Sequence, residues 1–209
     1  MDRIRVLYDA GGVLVLDKPP GLETTGRTRD DPGGLEHHVT ARLGRPVWPV
    51  HQLDRDTSGV VIFVRRKAAV AEWQERLRRA TKRYVAIVHG RMVSETVDAA
   101  LAYDPELRRW VTRADGKAAR TVFEVLDGRD RASLVEARPA TGRTHQIRVH
   151  LASVGHPLFG EGRYREPACV EHPRHALHVR RIEVDDLAFE APLPEDLREL
   201  ATRLGFDPR

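Results

Sequence analysis

The stretch HQLDRDTSGVVIF, residues 51–63, sets a crowded polar turn directly against an apolar run. A chain reversal needs only one Asp, Asn or Gly. Here His51, Asp54, Asp56, Thr57 and Ser58 all precede Gly59, and GVVIFVRR then reads as a buried strand. The turn holds more polar chemistry than turning requires.

Upstream, IRVLYDAGGVLVLDK reads as two short strands around Asp9-Ala10-Gly11-Gly12. PPGLETTGRTRDDPGG is a polar loop, and LEHHVTARLG is a short helix ending at Gly44. Downstream, KAAVAEWQERLRRA predicts a helix with Val70, Trp73, Leu77 and Ala80 inward and Glu72–Arg76 and Glu75–Arg79 as i,i+4 pairs. KRYVAIVHG alternates as a strand, Tyr84, Ala86 and Val88 facing one way and Val85 and Ile87 the other.

Residues 91–119 read as strand plus loop, and ARTVFEVLDG with RASLVEARP as a hairpin around Asp127-Gly128. TGRTHQIRVHLASVGHP reads as a helix with Ile147, Leu151 and Val154 on one face, ended by Gly155 and Pro157. ALHVRRIEV is a further strand, and LPEDLRELATRLG a closing helix with Leu197, Leu200 and Leu204 inward. Strands that mostly follow one another predict an α+β fold: a mixed, largely antiparallel central sheet with flanking helices.

At 209 residues, 41% hydrophobic and 32% charged, the composition is that of a soluble globular chain, expected to form a single domain. The first residues lack the apolar core of a signal peptide, and runs such as Val60–Val64 are too short to span a bilayer. One cysteine, Cys169, excludes an internal disulfide and suits the cytoplasm. Lys18, Lys67, Lys82 and Lys117 are the only lysines, so 35 − 4 leaves 31 arginines. Arginine grips phosphates bidentately and stacks on bases, which makes a polyanionic partner plausible. A genome that writes arginine for any cation would produce the same count.

A second dense stretch, RPATGRTHQIRVHLASVGHPLFGEGRY at 138–164, brings Thr144, His145, Gln146, Arg148 and His150 together after a Thr141-Gly142 turn. His145 and His150 stand five apart, off the i,i+4 spacing of a helical zinc pair, and no His/Cys/Asp set has ligand spacing. No metal is expected.

HQLDRDTSG together with GRTHQIRVHLASVGHPLFGEGRY closely resembles the RluA-type family of RNA pseudouridine synthases. LDKPPGL (16–22), KRYVAIVHG (82–90) and LHVRRIEV…FEAPLPEDL (177–197) resemble further family segments in the same order, so the likeness spans the chain. The resemblance implies an enzyme that converts a uridine in structured ribosomal or transfer RNA to pseudouridine, with no cofactor; a monomer with no membrane partner is expected. It implies Asp54 as the catalytic carboxylate, Arg148 as the guanidinium that keeps it ionised, and Tyr84 as a platform for the flipped base.

His51, Gln52, Thr57 and Ile147 are then expected to contact substrate, Ile147 as an apolar pocket wall. Lys18 and Arg143 read as phosphate contacts or structural braces, and Asp56 as a brace of the turn. Gln52 stands where the family usually has arginine, which leaves open an RNA-binding protein that lost turnover; a metal-dependent hydrolase using Asp54 and Asp56 is disfavoured by the histidine spacing. Relatives often carry an N-terminal S4 RNA-binding module, and here the match from about residue 5 leads us to expect none.

Overall fold

Gly11 and Gly12 adopt φ of 61° and 78°, the left-handed pair that a tight hairpin favours. They fold β1 (Arg5–Ala10) onto β2 (Val13–Lys18) in a computed structural model that describes residues 4–168 and 171–207. Cys169 lies outside the described residues. The chain continues as α1 (Leu35–Leu43), β3 (Trp48–Pro49), β4 (Ser58–Val64), a 3-10 turn at Lys67–Ala69 and α2 (Val70–Arg79). Then come β5 (Thr81–His89), β6 (Glu95–Asp98), β7 (Leu101–Asp104), β8 (Arg109–Thr112), β9 (Arg120–Gly128) and β10 (Ala132–Pro139). The last elements are α3 (Gln146–Ser153), β11 (Leu177–Val184), β12 (Leu187–Glu190) and α4 (Glu195–Arg203). The fold is α+β, largely antiparallel, as the strand-dominated pattern predicts.

The residues cluster into two compact units, Met1–Lys82 with Val179–Pro192, and Arg83–His178 with Leu193–Arg209. In the first, β4 pairs with β2 along its length and with β3 at Trp48 and Pro49, while the Val179–Val184 part of β11 pairs with β12. All seven residues of β4 are buried, which explains the unbroken apolar run at Val60–Val64. Each such side chain removed from water contributes about 1.5–3 kcal/mol. On α2, Trp73 and Leu77 are buried, and Arg76 and Arg79 reach Glu72 and Glu75 at 3.9 and 3.2 Å.

Gly59 opens the apolar part of β4 with φ of 111°, and a Cβ there would run into the backbone of Val179. Both strain and collision penalise a side chain. Gly59→Ala is therefore expected to cost roughly 3 kcal/mol. That lowers the melting temperature by roughly 6–12 °C for a chain of this size. An unchanged thermal unfolding curve would contradict this close approach.

In the second unit β10 pairs antiparallel with β5 and β9, and β9 with β6; β7 and β8 form a separate two-stranded sheet. The alternation of β5 sorts its residues into two cores. Ala86 and Val88 join Phe123, Ile147 and Leu151, with Tyr84 packed against them, so α3 covers that face. Ile87 joins Phe159, Leu197 and Leu200, with Val85 beside them, so α4 covers the other.

Candidate active site

The Asp54 loop is held from both of its neighbours. Leu53 donates its N–H to the Thr24 hydroxyl oxygen at 2.9 Å, and its carbonyl accepts from that hydroxyl at 3.3 Å. The Arg55 carbonyl accepts from the Gly21 N–H at 3.0 Å and from the Lys18 ammonium at 2.9 Å, and Arg55 Nε returns a bond to the Gly21 carbonyl. Thr57 N–H closes the turn on the Asp54 carbonyl at 3.0 Å. A half-buried carboxylate is thus presented from a backbone fixed one residue to either side.

Lys18 itself is 0% exposed, and its Nζ donates to the Pro19, Leu22 and Arg55 carbonyls. An ammonium has three donors. Of the two roles expected for Lys18, phosphate contact or structural brace, this geometry is that of a brace of the loop. Lys18→Met is expected to cost about 2–4 kcal/mol in urea unfolding, because three partly buried carbonyls lose a fully buried donor. A variant as stable as the parent would show that the brace contributes nothing.

His51 is half-buried, and its Nε2 accepts the Ile62 N–H at 3.1 Å. Burial, reinforced by the charge of Lys82, pushes its pKa down to about 3, so the ring is neutral at physiological pH. Gln52 is exposed, and Thr57 is 3% exposed.

The second unit holds the remaining expected residues around α3. The helix begins at Gln146, later than the sequence pattern suggests, because Gln146 ties down the preceding turn. Its Oε1 accepts from the Thr141 hydroxyl (2.7 Å) and Arg143 N–H (3.1 Å), and its Nε2 donates to the Arg120 carbonyl (2.9 Å) and Thr121 Oγ1 (3.0 Å). Thr121 in turn meets His150 Nδ1 at 2.9 Å, and His150 Nε2 lies 2.9 Å from the Ala99 carbonyl, which requires that nitrogen to donate. His150 is thereby committed to a buried network. Among the described residues no three His, Cys, Asp or Glu side chains gather as a metal site, and no helix is long and apolar enough to cross a membrane.

Arg148 is buried and forks onto Glu161, Nε to Oε2 at 2.9 Å and Nη2 to Oε1 at 2.8 Å. Its guanidinium also lies 5.2 Å from the Tyr164 ring centroid. Burial alone would raise the Glu161 carboxyl. The Arg148 hydrogen bonds and charge, with the N–H groups of Arg163 and Tyr164, outweigh it and hold the pKa below the ordinary carboxylate range. Tyr84 is half-buried against the core that contains Ile147. Ile147, expected as an apolar pocket wall, is 6% exposed and belongs to that core. Arg143 is exposed, its Nε on the Ala118 carbonyl at 3.1 Å.

The nine expected residues thus fall into two groups, Lys18, His51, Gln52, Asp54 and Thr57 in one unit and Tyr84, Arg143, Ile147 and Arg148 in the other. Sequence reasoning passed over Thr24, Gln146 and Glu161 as working parts. For Glu161 a signal existed: one acid in GEGRY, thirteen residues past a buried arginine.

Comparison with known proteins gives the family. The family model described as RNA pseudouridylate synthase matches residues 12–153. The dual-specificity RNA pseudouridine synthase RluA of Escherichia coli O6:H1 (strain CFT073) is 36% identical over 90% of this chain and 92% of its own length. The uncharacterized RNA pseudouridine synthase YjbO of Bacillus subtilis (strain 168) is 34% identical over 93% of this chain and 74% of its own. In structure, human RNA pseudouridylate synthase domain containing 4 matches the fold with a TM-score of 0.79 at 24% identity, covering 97% of this chain and 93% of that one. Such a set of relatives defines an isomerase that modifies RNA. The chain belongs to the RNA pseudouridine synthase family, in its RluA-type branch.

Proposed function

We propose that the enzyme isomerises specific uridines of structured ribosomal or transfer RNA, acting as a cytoplasmic monomer with Asp54, Arg148 and Tyr84 as its catalytic residues. The observation that supports this most is the clamped loop, which fixes Leu53 and Arg55 and offers the side chain between them. The reaction breaks the N1–C1′ bond, turns the uracil over, joins C5 to C1′, removes the C5 proton and returns one to N1. Atoms and electrons balance with no redox partner, so no cofactor is needed.

Asp54 serves as nucleophile or as base toward the sugar, and either role needs it ionised. Arg148 supplies the positive charge that favours that state. Tyr84 stacks on the extruded base, and arginines such as Arg143 hold the backbone, so binding weakens steeply with salt. Extruding the base costs a few kcal/mol, which stacking and phosphate contacts offset.

Tritium release from RNA labelled at uridine C5, with and without chelator, tests the reading. Release that ignores chelator supports it. Tight RNA binding with no release would instead indicate a scaffold that binds without turnover, and loss of release with chelator a metal-dependent reaction.

A further inference from the structure

Strand β3 leaves the ladder just as β4 still has hydrogen bonds to fill. Val50 N–H donates to the Ile62 carbonyl at 3.1 Å, and in a regular antiparallel pair the Ile62 N–H would return to the Val50 carbonyl. The His51 imidazole takes that place, accepting the Ile62 N–H through Nε2. Ile62 is fully buried, so its N–H needs this partner.

A neutral imidazole with one nitrogen accepting carries its proton on the other. The tautomer assigned by this bond puts the hydrogen on Nδ1, and among the described residues Nδ1 has no hydrogen-bond partner. Close by, Lys82 is half-buried, and its ammonium makes no hydrogen bond or ion pair with any described residue. Its charge reaches His51, and burial lowers its own pKa. Two donors of the same unit, one of them oriented by the bond on Nε2, thus lack an acceptor among the described residues. Their shared requirement is an anion.

We infer that His51 Nδ1–H and Lys82 Nζ form a subsite for a backbone phosphate of the RNA, His51 as a neutral, tautomer-locked donor and Lys82 as the charge. This rests on the proposed function. The low pKa of His51 supports it by keeping the ring a donor on one side and an acceptor on the other throughout the physiological range.

Asn and Gln separate the two nitrogens. The Asn amide overlies Nδ1 and retains a donor there; the Gln amide reaches the place of Nε2 and can still accept from Ile62. His51→Gln is expected to keep the melting temperature within a few degrees and to weaken binding of a tritium-releasing RNA stem-loop roughly 10-fold or more. His51→Asn is expected to bind within about 3-fold of the parent while melting several degrees lower. Lys82→Gln should reduce the slope of log K against log salt by about 1, whereas His51→Gln should leave it unchanged.

Nitrogen-15 spectra of the parent at neutral pH should show Nε2 unprotonated and Nδ1 protonated. Parent-like binding by both His51→Gln and Lys82→Gln, in an enzyme that still releases tritium, overturns the subsite and spares the function. A parent that releases no tritium from any RNA removes the function on which the subsite rests.

Discussion

Asp54→Ala is expected to lower pseudouridine formation by about 10,000-fold or more, because removal of a nucleophile or essential base costs that much in comparable sites. The reason to expect loss of chemistry without loss of fold lies in the loop. Bonds from Thr24, Lys18 and Gly21 to the backbones of Leu53 and Arg55 hold it on both sides of Asp54, and the Thr57 N–H closes it on the Asp54 carbonyl, which alanine keeps. Truncating Asp54 touches none of these bonds. The variant should therefore melt within a few degrees of the parent and still bind RNA, since phosphate contacts dominate affinity. Single-turnover tritium release beside a thermal unfolding curve checks both halves. Release at the parental rate from a folded Asp54→Ala protein would remove the carboxylate from the mechanism.

Glu161→Ala carries the largest expected stability loss. It removes the bidentate partner of the buried Arg148 guanidinium, and breaking a buried ion pair from one side costs about 3–5 kcal/mol. For a chain of this length that is a melting temperature lower by roughly 6–20 °C at neutral pH. The sign with pH follows from the depressed Glu161 pKa. The pair contributes its stability above the ordinary Glu value and loses it as pH falls through the lower folded value. The gap between parent and variant should therefore be full at pH 7 and shrink under acid. Glu161→Gln, which keeps the shape and one acceptor, should retain more stability while loosening Arg148, and so lose turnover out of proportion to its melting temperature. A neutral-pH melting curve for Glu161→Ala that overlays the parent would show the pair to be dispensable.

Much of the architecture was legible because local pattern and tertiary role agree. The Gly11-Gly12 hairpin, the fully buried β4, the two-faced β5 and the amphipathic α2 and α4 each appear where periodicity and turn residues put them. Short elements escaped notice. Trp48–Pro49 and Leu187–Glu190 become strands through their partners β4 and β11, not through any pattern of their own. The β7–β8 hairpin read only as strand plus loop, since four-residue strands hold too little periodicity to separate.

Sequence alone determined the α+β class, the order of most elements and the family, because hydrophobic period, turn chemistry and motif order are properties of neighbouring residues. Tertiary structure decided which polar side chains work outward and which inward. Lys18 became a brace, Gln146 and His150 an interior network, Glu161 a counter-ion of Arg148, and His51 the acceptor of a β4 N–H. The physical reason is that a polar group's role depends on which donors and acceptors enclose it and how far water is excluded, and those partners come from distant points along the chain.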